Sequence, residues 1–91
     1  MADPRLYTER ERAAQARTLT EHPLWLEAWA TWEQHALKEW RNTATGDSAK
    51  REQLWMAIDV ASKVRRHIER VIETGKLAEQ ALADEERKHG R

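Results

Sequence analysis

The 91 residues contain no cysteine and no phenylalanine, three glycines, two prolines and one tyrosine. The missing cysteine excludes a disulfide scaffold, a thiolate zinc site and a cysteine nucleophile. So few glycines and prolines cannot supply the turns of a β-rich fold. No apolar run approaches the roughly 18 residues needed to span a bilayer. The opening Met1-Ala2-Asp3-Pro4-Arg5 lacks the apolar stretch of a signal peptide. A soluble, intracellular protein is the expectation. Net charge is absent too: 16 Lys+Arg balance 16 Asp+Glu. That balance weakens steering toward nucleic acid or membranes and tolerates self-association. With 40% hydrophobic and 35% charged residues, the chain does not read as a disordered tail. Its aromatic content is nearly all tryptophan, with five copies. Tryptophan brings large buriable area and a polar N–H.

Helical signals run through the whole chain, and no strand pattern or internal repeat is present. Asp3-Pro4 reads as N-cap and first helical residue. The helix that follows, Arg5 to Leu19, has thin apolar content: Leu6, Tyr7, Ala13, Ala14, Ala16 and Leu19. It needs a partner surface to persist. Pro23 ends it at His22 and starts a second helix to about Asn42. On a helical wheel Trp25, Leu26, Trp29, Ala30, Trp32, Ala36, Leu37 and Trp40 form one band of roughly 160°, wide for a helix with a single neighbour. Glu33 sits inside that band, and Glu27, Gln34, Lys38 and Arg41 lie opposite.

Residues 42–48 compose a turn, with Asp47 or Ser48 capping a third helix. Its seam steps by three and four through Leu54, Ala57, Ala61, Val64, Ile68 and Val71. Ile58, Val60 and Ile72 widen it, and Ala57 and Ala61 permit close helix approach. Gly75 fits the C′ stop position, so this helix is expected over Ala49–Thr74. A short, weakly held helix follows, its seam continuing through Ala78 and Leu82, with a frayed end. The expected fold is all-α. A single domain, 1–91, comprises an N-terminal helix (1–22), an antiparallel hairpin of two long helices (23–75) and a C-terminal tail (76–91).

Geometry then points outward. A helix of about 26 residues is about 39 Å long, whereas a globule of this size has a radius of gyration near 12 Å. The two apolar bands exceed what two helices can cover on each other. The first helix offers mostly alanine. Another subunit is therefore expected to cover the remainder, giving a bundle by self-association. The interface candidates are Trp55, Met56, Ala57, Ala61, Val64, Ile68 and Val71. Trp55 and Met56 flank the seam on either side and, if exposed, mark a partner surface.

Chemistry-bearing residues read blandly. Glu33 in a tryptophan band invites an acid–base reading, but the favoured reading is structural: a carboxylate at the band's margin that reaches solvent or pairs with a cation. Arg65 falls in the apolar band of its own helix. Register places it opposite Leu26 and Glu33 opposite Ile58, an axial offset of about 10 Å, which argues against an intrachain pair and leaves a pair between subunits open. The histidines, His22, His35, His67 and His89, lack metal-ligand spacing. Neither serine has a His/Asp constellation, and no glycine-rich phosphate loop exists. The basic cluster Lys63, Arg65, Arg66, His67 and Arg70 could contact phosphate. Asp59, Glu69 and Glu73 offset it through i,i+4 pairing. No enzyme, cofactor, metal, membrane or small-molecule role is expected, and nucleic acid is disfavoured as a partner.

Leu24 to Leu77 resembles a set of small helical proteins encoded by tailed bacteriophages and prophages near virion-morphogenesis genes. The carrying residues are the Leu26-x-Glu/Ala pattern and Trp40-Arg41-Asn42-Thr43 in the first half. In the second they are Arg51-Glu52-Gln53-Leu54-Trp55-Met56-Ala57, Arg65-Arg66-His67-Ile68 and Glu73-Thr74-Gly75-Lys76-Leu77. The resemblance implies a non-enzymatic virion or assembly component, located in the host cytoplasm or the virion, with other phage structural proteins as partners. It brings no catalytic residues. Two alternatives stand beside it: a nucleic-acid-binding packaging or regulatory protein of the small-terminase kind, and a small phage inhibitor of a host protein.

Overall fold

A computed structural model describes residues 2–89. It contains three α-helices, and no strand occurs among the described residues: α1 Pro4–Glu21, α2 Pro23–Asn42 and α3 Ser48–His89. The chain divides into two compact units that share α3. One is built from the chain up to Thr20 together with the chain from His67 onward; the other is Glu21–Arg66.

Each helix start has its chemical cause. Asp3 Oδ1 accepts from the Arg5 amide at 2.9 Å, and its carbonyl accepts from the Leu6 amide at 3.0 Å. Pro4 costs nothing at the first helical position, where no intrahelical N–H bond is lost. The Arg5 guanidinium closes on the other carboxylate oxygen at 2.7 Å. That contact and the amide hold the Asp3 carboxyl below the ordinary carboxylate range. His22 caps α2: its Nδ1 accepts from the Leu24 amide at 3.1 Å, with extended backbone at φ −67°, ψ 133°. Asp47 caps α3, its carboxylate accepting from the Lys50 amide at 3.1 Å. Capping leads the backbone into a helix by satisfying amides that have no intrahelical partner.

Gly75 does not stop α3. The helix passes through it to His89, 42 residues in all, so the expected break and separate tail helix are replaced by one continuous element. A C′ glycine works by adopting positive φ, and no residue with positive φ occurs among the described residues. The glycine serves packing. A Cβ built on Gly75 would collide with the Ala13 Cβ, lie 3.0 Å from the Glu9 carbonyl oxygen and 3.4 Å from the Ala13 Cα. Here α1 lies almost backbone to backbone against α3. The seam is completed by Ala13 (0% exposed), Ala16, Ala78 (1% exposed) and Leu82. The Arg17 guanidinium and the Glu79 carboxylate flank it at 3.6 Å. The alanines that made α1 look too weak to cover anything are what allow this approach: small side chains bring two helix backbones together, and dispersion contacts accumulate along them.

The Glu21–Arg66 unit is built differently. Its only buried side chains among the described residues are Ala36 and Thr43. Trp25, Trp29, Trp32 and Trp40 are half-buried. Trp29, in the middle of the α2 band, and Ile68, in the α3 seam, are both half-buried in the chain. One helix neighbour covers one flank of an indole and leaves the other open. Glu27 and Lys63 are exposed, as their wheel positions require.

Candidate functional site

Three tryptophans of α2 stand in a row. The Trp25 and Trp29 rings meet edge to face at 5.6 Å, and Trp29 and Trp32 do so at 6.0 Å. Spacing of four and then three residues places them on one side of the helix, and the edge-to-face arrangement suits the ring quadrupoles. Beside this ridge lies a groove lined by Trp25, Ala28, Trp29, Trp32, Ala61 and Val64. A second groove, lined by Trp32, Glu33, Ala36, Leu37, Trp40, Trp55 and Ile58, lies further toward the α2–α3 turn. Both are apolar.

Glu33 and Arg65 do pair: the guanidinium is 2.7 Å from Glu33 Oε1 and sits over the Trp29 ring at 5.2 Å. Counted from the turn, their Cα positions are about 10 Å apart along the axis. Side chains lean toward the N-terminus of their own helix, so two residues on helices joined by a short turn can lean toward one another. The long arginine stem spans what remains. Both side chains are about half exposed, so the pair is worth roughly 0–1 kcal/mol and fixes orientation more than it stabilises. As an ion pair at the margin of the band, Glu33 has a structural explanation.

The turn carries a lock that the sequence reading missed. The Thr43 hydroxyl donates to the Trp40 carbonyl at 2.6 Å and accepts from Arg51 Nε at 3.0 Å. The Arg51 guanidinium also lies over the Trp40 ring at 5.3 Å. Thr43 is buried, so its hydroxyl needs those partners. The available signal was a threonine at the C-cap of α2 with an arginine one turn into the next helix.

The interface candidates fall in different places. Trp55, Met56 and Val64 are exposed by 59%, 54% and 54%, and Val60, which the sequence reading did not single out as an interface residue, by 61%. Ala57 is exposed and Ala61 half-buried. Ile68 and Val71 belong to the other unit and are half-buried. There Val71 lines a shallow groove with Glu9, Arg12, His67, Arg70 and Thr74. Leu24, Leu26 and Leu37 add exposed apolar area on α2. No large side chain is fully buried among the described residues.

Of the basic candidates, Lys63 is held by Asp59 at 2.9 Å and Arg65 by Glu33 at 2.7 Å. Arg66 and Arg70 are exposed. His35 lies 3.0 Å from Glu39 and His89 2.9 Å from Glu85. No group of three or more His, Cys, Asp or Glu placed to hold a metal occurs among the described residues. No helix among them is long and apolar enough to cross a membrane. No protein-family model, curated protein or solved structure matches the chain.

Proposed function

We propose that the chain is a non-enzymatic structural or assembly protein of a tailed phage or prophage, acting through protein–protein contacts. In this reading α2, the short turn and the first half of α3 form an antiparallel helical hairpin whose apolar flanks are covered by partners. The observation that carries the contact role is the exposure of Trp55, Met56, Val60 and Val64 on α3, each more than half open to solvent. Met56, Val60 and Val64 share one flank of α3 and Trp55 lies on the other, and exposed apolar surface that gathers on a helix flank marks interaction sites. The phage context rests on the resemblance of Leu24 to Leu77 alone. Nucleic-acid contact has less support, because Lys63 and Arg65 already face carboxylates at 2.9 and 2.7 Å.

The test is affinity capture from cells producing the phage, using the wild-type chain and Trp55→Ala. The expected result is recovery of an identified virion or assembly protein with wild type and its loss with Trp55→Ala. Recovery of nucleic acid that survives high salt, or of a host enzyme in inhibited form, would replace this reading with one of its two rivals.

A further inference from the structure

We infer that the start of α2 is an acid-sensitive joint, closed by His22 while its imidazole is neutral and released when the ring takes up a proton. The joint is a property of the chain itself and does not depend on a partner covering the grooves.

One hydrogen bond fixes the chemistry. The Leu24 backbone N–H can only donate, so His22 Nδ1, 3.1 Å away, accepts with a lone pair. That requires the neutral tautomer with its proton on Nε2. In the imidazolium both ring nitrogens are donors, so protonation removes the acceptor and sets donor against donor. It also puts a positive charge at a helix N-terminus, where the macrodipole favours a negative one. Both effects open the turn. The closed turn holds one proton fewer than the open one, so the joint is firm at high pH and loosens as pH falls. The usual caps, Asp, Asn, Ser and Thr, keep their acceptor between pH 5 and 8, whereas histidine changes charge there. Asp3 and Asp47 cap α1 and α3, so α2 alone of the three has a cap of this kind.

No other group takes over the Leu24 amide. Pro23 brings no N–H of its own, and the Leu26 amide already bonds the His22 carbonyl at 3.1 Å. The first turn of α2 holds no acidic residue. Trp25 occupies the position from which a capping-box carboxylate would reach back. Around the joint, Glu21 precedes His22 in the chain, and both are exposed. On α3, past the Glu79 that Arg17 meets at 3.6 Å, the next charged residues are Asp84, Glu85, Glu86 and Arg87. Asp84 is paired with Arg87, and Glu85 lies 2.9 Å from His89. Among the described residues no carboxylate forms an ion pair with His22.

The segment that the joint controls carries Leu24, Trp25 and Leu26. The Trp25 ring meets Trp29 at 5.6 Å and lines one apolar groove. Release of the first turn therefore loosens one end of the tryptophan row, while the rest of α2 keeps its own hydrogen-bond ladder.

The experiment is nuclear magnetic resonance of the full chain from pH 8 to pH 5, reading amide exchange at Leu24 and Leu26 relative to the intrinsic rate. Wild type, His22→Asp and His22→Ala are compared. In wild type, protection at both amides is expected to fall about tenfold across this range, the combined size of a lost cap and a misplaced charge. His22→Asp keeps an ionised acceptor throughout, so its protection stays high and level. His22→Ala has no acceptor at any pH, so its protection stays low and level. His35, His67 and His89 remain in both variants, so any effect of theirs persists in them. The Lys50 amide, capped by Asp47, stays level in all three chains. A wild type with no fall at Leu24 and Leu26 overturns the inference. So does a fall of the same size in His22→Asp, or one of the same size at Lys50, which would mark general loosening rather than release of this joint.

Discussion

Gly75→Ala gives the sharpest view of how the helices are held. On an exposed helix this change stabilises by about 1 kcal/mol, since alanine loses less backbone entropy and glycine is the poorer helix former. Here the added methyl collides with the Ala13 Cβ and lies 3.0 Å from the Glu9 carbonyl oxygen. Neither neighbour is the end of a flexible side chain, so the clash is relieved only by moving α1 away from α3. Ordinary carbon–carbon contact is about 3.5–4.0 Å, so the seam must open by more than an ångström. Ala13, Ala16, Ala78 and Leu82, the four buried apolar side chains along it, then lose contact together. Overpacking of this sort costs about 1–3 kcal/mol, and opening the seam adds to that, so the helix-propensity gain is outweighed. The expected net loss is about 1–3 kcal/mol, read as a fall in Tm of roughly 5–15 °C for a chain of this length. Thermal and urea unfolding followed by circular dichroism measure it. Ala13→Gly in the same chain should recover part of the loss, with a favourable coupling energy in the double-mutant cycle. A Gly75→Ala chain as stable as wild type, or more stable, would refute the close approach of the two helices.

Thr43→Val should cost about 1–2 kcal/mol, because it removes a buried hydroxyl that accepts from Arg51 and leaves that donor unmatched; urea unfolding checks it, and no change would mean the turn is not locked by this residue. Glu33→Gln should cost under about 1 kcal/mol, and Arg65→Ala somewhat more, since it also removes the contact over Trp29; equal losses in the two variants would argue against that ring contact. His22→Ala should lower stability by about 1 kcal/mol and His22→Asp should restore it, because either His or Asp can accept from the Leu24 amide. Finally, Asp3 has its carboxyl held low in the fold by Arg5. Its capping contribution is therefore fully present above the ordinary carboxylate pKa of about 3.9 and is lost as pH falls through the lower folded value. Amide exchange at Arg5 and Leu6, corrected for the intrinsic rate, should accelerate in that acid window in wild type and show no such step in Asp3→Asn.

Helix starts were the legible part of this chain, because they depend on a few adjacent residues. Asp3-Pro4, Pro23 and Asp47 each act within one turn, and the helices begin where those residues require. The course of α3 past Gly75 depended on something no local pattern states. The same glycine serves as a stop when the chain is free to turn and as a contact when another helix lies against it. The deciding partner, Ala13, is more than sixty residues away in sequence. The seam itself was readable further on, since Ala78 and Leu82 keep the three-and-four spacing and are buried. Burial was harder to read than periodicity. The tryptophan band correctly marks the apolar side of α2, but a wheel reports direction and not how many neighbours stand there. The most completely covered residues are alanines, Ala13 and Ala78, and the tryptophans of α2 keep part of their surface open. The Glu33–Arg65 pair was missed because Cα register neglects side-chain lean. The lock among Trp40, Thr43 and Arg51 was missed because its three members lie on both sides of a turn read only for composition.

The claim at the centre of this account is that the apolar grooves of the Glu21–Arg66 unit are contact surfaces which another chain covers. Native mass spectrometry of the chain isolated from phage-producing cells tests it most directly, since the single chain has a mass of 10.7 kDa. The account predicts species heavier than that, containing two copies of the chain, an identified virion or assembly protein, or both, and reverting to the single chain when Trp55→Ala and Ala28→Arg are combined. A folded 10.7 kDa monomer as the only species, at tens of micromolar and in the presence of the phage proteins, would contradict it.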